Sequence, residues 1–143
     1  MADTRNAAPL LEAGGDIGVS VFVKLSTSAG HTALAAGANE QVIGISQVGP
    51  KQPPGVSGSS ALAAEAGDQL QIFGLGDICL LKAGSGGWTA GDNLKAGTAG
   101  VGVVAATTGT TVQNIGAVAL TDAAEDEFGL VQIMIMKTRP ALA

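Results

Sequence analysis

Few residues of this chain have the types and spacing that chemistry requires. His31 is the one histidine, and it closes a Ser-Ala-Gly-His stretch (Ser28 to His31) that reads as a turn. Nucleophilic catalysis needs a nucleophile, a base and a group to orient that base, and no such set can be assembled around His31. Cys79 is the single cysteine. Its neighbours Ile78, Leu80 and Leu81 make a buried, inert thiol the expectation. One cysteine also excludes an internal disulfide framework and CxxC redox chemistry. There is no GxSxG, no GxxxxGK(S/T) and no HExxH. Gly74-Leu75-Gly76 and Gly84-Ser85-Gly86-Gly87 lack the GxGxxG spacing that opens a helix, and read as hairpin turns. The expectation is a chain that is not an enzyme, with no catalytic residue and no cofactor.

The densest acidic group is Asp122, Glu125, Asp126 and Glu127. A hard cation wants several converging oxygens, but this spacing is not that of an EF-hand loop. A solvated connection between two strands explains it, and no metal is assigned. Met136-Lys137 is similar to the Met-Lys dipeptide of biotinyl carrier domains, yet falls near the C-terminus rather than at a hairpin tip. The 12 acids against 7 bases give a net charge of −5, with no run of Lys or Arg. Tyr is absent, with one Trp and three Phe. A phosphate-neutralising face and stacking platforms are both missing, so nucleic-acid binding is excluded. No apolar stretch approaches the ~18 residues of a membrane span. The polar start MADTRN has no signal-peptide pattern, so a soluble, unexported protein is expected.

What must position these residues is a set of strands. The 143 residues fit one domain able to bury a core without staples. Val19, Val21, Val23 and Leu25 alternate with Ser20, Phe22, Lys24 and Ser26, a period of two that no amphipathic helix gives. Further strand signals lie at 41–48 (QVIGISQV), 68–74 (DQLQIFG), 77–82 (DICLLK), 100–105 (GVGVVA), 112–120 (VQNIGAVAL) and 130–137 (LVQIMIMK). The expected fold is all-β: a small antiparallel β-barrel or sandwich of about seven short strands with an extended N-terminal arm. Residues 1–18 read as the arm, with room for one helical turn at 7–13. Residues 19–143 read as a single β domain carrying a Pro/Gly/Ser-rich loop at 49–60. An AGDxL pattern occurs at 66–70 and again at 90–94, a turn followed by strand entry. In the last strand Val131, Ile133 and Ile135 take one face, and Gln132, Met134 and Met136 the other. Two methionines on an outer face point to a second covered surface, either a sandwich core or a subunit contact.

The order QVIGIS (41–46), AGDQLQIFGLGDICLL (66–81), WTAGDNL (88–94) and IGAVAL (115–120), then an acidic/Ala turn, Gly129 and an apolar strand, resembles the small capsid decoration, or cement, proteins of tailed bacteriophages. The resemblance spans residues 19–137. It implies a protein made in the host cytoplasm that sits on the outside of the virion capsid and stabilises the shell. It implies two partners: the major capsid protein, and the chain itself as a homo-oligomer, with a trimer expected. It implies no active site; charge and hydropathy already speak against a nucleic-acid partner and a membrane partner. The contacts expected are the larger apolar groups of a chain that has few: Leu10, Leu11, Trp88, Phe128, Met134 and Met136. A different class remains open, a small β-sandwich binding or adhesion module displayed on a particle. Were its ligand a carbohydrate, Trp88 would supply the stacking face.

Overall fold

The computed structural model describes residues 11–26, 32–47 and 62–140. In chain order the strands are β1 (Leu11–Ala13), β2 (Ile17–Gly18), β3 (Phe22–Leu25), β4 (Thr32–Ala35), β5 (Gly44–Ser46), β6 (Leu62–Ala64) and β7 (Gln69–Leu70). They continue with β8 (Ile72–Phe73), β9 (Ile78–Lys82), β10 (Asn93–Ala96), β11 (Gly102–Val104), β12 (Gln113–Ala119) and β13 (Phe128–Thr138). One short 3-10 turn, Thr98–Gly100, precedes β11. The chain is all-β, as its alternating pattern predicts.

Two sheets carry the architecture. A six-stranded sheet runs β7-β1-β4-β3-β5-β8, antiparallel throughout except for the parallel β1–β4 pair. A five-stranded antiparallel sheet runs β11-β10-β12-β13-β9. A two-stranded ribbon joins β2 to β6. β7 and β8 stand at opposite ends of the six-stranded order, yet only Gln71 separates them in the chain. That sheet therefore rolls round on itself; among the described residues no sheet closes as a hydrogen-bonded barrel.

Burial follows from this arrangement. One apolar cluster lies between the two large sheets, with Phe22, Val42 and Ile45 from one side meeting Leu81, Leu94, Val131 and Ile133 from the other. A second cluster is built from the rolled sheet and the ribbon: Leu11, Ile17, Val21, Val23, Ala63, Ala64 and Leu70. With few large side chains available, the layers close by approach of backbone. A Cβ on Gly116 of β12 would stand 2.5 Å from Cε1 of Phe22 and 2.7 Å from Val42, so only glycine lets that strand press on the ring. Ser46 is the polar exception. Its buried hydroxyl donates to the Gly18 carbonyl at 2.7 Å and accepts from the Val21 N–H at 3.1 Å, which ties β5 to β2 and to the entry of β3.

Connections at 37–40, 65–68, 74–77, 89–92 and 124–127 share one construction. The N–H of the fourth residue donates to the carbonyl of the first at 2.9–3.2 Å. In return the fourth residue's carboxylate accepts the N–H of the first, also at 2.9–3.2 Å. The third residue has positive φ in every case: Asn39, Gly67, Gly76, Gly91 and Asp126. Such a turn wants Gly, Asn or Asp in third place and an acid in fourth. The AGDxL repeat is two instances of it.

Several expectations are corrected. Residues 11–18, assigned to the arm, run as β1 and β2 and are built into the fold; Leu11–Ala13 is strand, not the end of a helical turn. The alternating run at 19–26 yields strand only from Phe22, because Ser20 turns the chain with φ of 57°. The run at 68–74 divides into β7 and β8. Five elements went unpredicted: β1, β2, β4, β6 and β10. The loop at 49–60 and His31 lie outside the described residues.

Candidate interaction surface

The groups most able to react are used up by the fold. Cys79 is buried, and its thiol is pushed up to about 11, first by burial and then by the charge of Asp77; it is no nucleophile near neutral pH. Among the described residues no three His, Cys, Asp or Glu side chains come together as metal ligands. The acidic connection is turn chemistry. Asp122 accepts the Ala90 N–H at 2.8 Å, Glu127 accepts the Ala124 N–H at 3.2 Å, and Asp126 lies 3.9 Å from the Lys82 ammonium. Glu40 is held below the usual carboxylate range chiefly by the hydrogen bond from Lys24, against the opposing effect of burial.

Trp88, expected as a contact, is placed by the structure in the core. It is 5% exposed, and its Nε1–H donates to the Thr121 carbonyl at 2.9 Å. The ring lies against two strands at glycines, since a Cβ on either Gly102 or Gly129 would come within 2.9 Å of it. Its size makes it the largest core group rather than an exposed anchor, and it offers no face on which a sugar could stack. Leu11 is also buried, packed in the second cluster. Leu10 lies outside the described residues.

Phe128, Met134 and Met136 are exposed, and they point to a surface the sequence reading only partly resolves. β13 alternates outward and inward, with Gly129, Val131 and Ile133 buried and Phe128 and Leu130 exposed. Register pairs Leu130 with Leu80, Gln132 with Ile78 and Phe128 with Lys82. Directly opposed residues share a face, so Ile78 and Leu80 of β9 stand beside Leu130. Gln132 is also opposite Val118 of β12, and the Leu120 N–H donates to the Leu130 carbonyl at 2.8 Å. The outer face of three adjacent strands is therefore apolar: Ile78 is 59% exposed, Phe128 51%, Leu80 47%, Leu120 42% and Leu130 41%. Scattered exposed leucines need no explanation, but a contiguous patch marks an interaction site.

Met136 belongs elsewhere. Ile115 pairs with Met136 while Ala117 pairs with Ile133, so β13 carries one more residue than β12 across this step. Such a bulge reverses the alternation beyond it. Met136 thus lies on the side of Ile133 and Ile115, not on that of Met134. The signal for Ile78 and Leu80 was present in DICLLK, which is apolar at odd and even positions alike. Periodicity could not say which side is covered.

A family model described as "Structural cement protein (E217 gp24/Pam3 gp6)" matches residues 1–135 of the chain. No curated protein matches it. Among solved structures, the chain is similar to one described as "The crystal structure of head fiber gp8.5 N base in bacteriophage phi29". The TM-score is 0.60 at 16% identity, covering 90% of this chain and 93% of that one. At that identity the likeness is one of fold.

Proposed function

The chain belongs to the structural cement protein family of phages, and from that premise we propose that it binds the outer surface of the capsid and stabilises the shell through contacts with the major capsid protein and with other copies of itself. It is a capsid-associated structural protein, not an enzyme. The single observation that carries the finer reading is the exposed apolar face of β9, β13 and β12 on a scaffold whose ionisable groups are spent on turns. Shell stabilisation asks for stiffness and apolar contact area. Short strands joined by reciprocally bonded turns supply the first, and the outer face supplies the second. A trimer is the proposed oligomer. Particles of the source phage, purified and compared band by band with the major capsid protein, test the reading. A stoichiometric band that mild denaturant strips before the shell opens is the expected result. Its absence from clean particles would reject capsid binding.

A further inference from the structure

The apolar face has a charged surround, and the sign of that surround says what can cover it. Asp77 stands immediately before β9, at the end where Ile78 pairs with Gln132. At the opposite end, where Lys82 pairs with Phe128, lies the connection carrying Asp122, Glu125, Asp126 and Glu127. It is fixed there by the Asp126 N–H donating to the Ala83 carbonyl at 3.0 Å and the Ala83 N–H donating to the Glu127 carbonyl at 2.8 Å. All five acids are exposed. Lys82 is the one base among them, and Asp126 partners it at 3.9 Å. The face is thus an apolar centre between two acidic ends.

We propose, resting on the capsid-binding reading above, that this face takes a surface of the shell protein with an apolar centre flanked by Lys and Arg, and does not pair with the same face of a second copy. Charge complementarity is the argument. A two-fold contact sets identical patches against each other, and here it brings acid against acid, which costs affinity and steers copies apart. The chain's other described bases lie toward the far end of β13 rather than on this face: Lys24 pairs with Glu40, Lys95 donates to Gln113, and Gln113 pairs with Thr138, between Lys137 and Arg139. A shell surface rimmed by cations satisfies both parts of the face at once.

The test uses heads of the source phage stripped of this protein, to which purified full-length chain is added back. Three variants accompany the wild type: Leu80→Ser/Leu130→Ser for the centre, Glu125→Lys/Asp126→Asn for the rim, and Glu12→Lys as an exposed acid on β1. Melting curves confirm that each folds. The expected result is that wild-type affinity falls as NaCl rises, and that the rim variant binds about tenfold or more weakly at low salt, with a gap that closes at high salt. The centre variant binds more weakly at every salt concentration, and Glu12→Lys binds as wild type. Sedimentation shows the self-association of all three unchanged. Wild-type protein that binds no heads overturns both the capsid-binding reading and this one. Wild-type binding retained by the centre and rim variants overturns only the assignment of the face. A rim variant that shifts self-association instead makes the face a contact between copies, and overturns it too.

Discussion

Replacing Trp88 by alanine separates the two roles that a large, solitary aromatic can have. If the indole anchored a partner, its loss would weaken shell binding and leave the free protein's stability near that of wild type. The structure predicts the reverse. The side chain is 5% exposed and its N–H is bonded to the Thr121 carbonyl. Removing a buried aromatic costs about 3–5 kcal/mol, and the lost hydrogen bond adds about 1 kcal/mol. At this chain length each kcal/mol is worth about 3–4 °C, so Trp88→Ala should melt about 12–24 °C below wild type. Circular dichroism is the readout, at fixed protein concentration because self-association also shifts melting. A second substitution identifies the cause. A Cβ on Gly129 would meet Trp88 Cζ2 at 2.9 Å, Trp88 Nε1 at 3.2 Å and the Ala123 Cβ at 3.0 Å. Gly129→Ala alone should therefore cost about 1–3 kcal/mol by overpacking. In the Trp88→Ala background two of those three obstacles are gone, so the double variant should be less destabilised than the sum by about 1 kcal/mol or more. A Trp88→Ala protein that melts within 2–3 °C of wild type (under about 1 kcal/mol), or a double variant that is strictly additive, would refute the packing argument.

Other perturbations follow from the same geometry. Gly91 has φ of 95° and nothing within 4 Å of a built Cβ, so Gly91→Ala should cost about 1–2 kcal/mol from backbone conformation alone. Gly74, equally uncrowded but without positive φ, should accept alanine with no loss in urea denaturation. Ser46→Ala leaves the Val21 N–H and the Gly18 carbonyl without their buried partner; about 1–3 kcal/mol should be lost, read as a lower urea midpoint with unchanged slope. Cys79, pushed up to about 11, should resist a thiol reagent at pH 8 in the native state and react at once in denaturant. Because its folded value lies above the unfolded one, its contribution to stability is complete below about pH 9. It should be lost as pH rises from there through about 11. Rapid native-state labelling at pH 8 would contradict the buried placement.

How far the fold could be read depended on side-chain type. β3, β9, β12 and β13 are rich in Val, Ile, Leu or Phe, so their existence was legible. β4 (TALA), β6 (LAA) and β10 (NLKA) are built on alanine and leucine, which favour helix in isolation. They are strands because buried alanines such as Ala63, Ala64 and Ala96 suit tightly stacked layers, a tertiary reason that no local window contains. The candidate surface was half legible. Met134 and Met136 read as one outer, covered face of β13, but the bulge opposite the Ile115–Ala117 step of β12 puts Met136 on the other side. Trp88 was misplaced for a simpler reason: size predicts importance, and does not say whether the important contact is inside or outside.

The stretch 69–73 has a consequence for how the fold comes apart. Leu70 pairs with Leu11 on one side, Ile72 pairs with Ser46 on the other, and the Gln71 carbonyl between them accepts the Gln47 N–H at 3.0 Å. Five residues act as a zip fastener for both borders of the rolled sheet. Neither border can fray by itself, since lifting the fastener bares β1 and β5 together. Backbone amides on those two strands should therefore exchange with solvent in one concerted opening rather than strand by strand. For a cement protein this also keeps neighbours apart: bare strand borders template pairing between molecules, and a closed fastener denies that template to chains held at high local concentration on a shell.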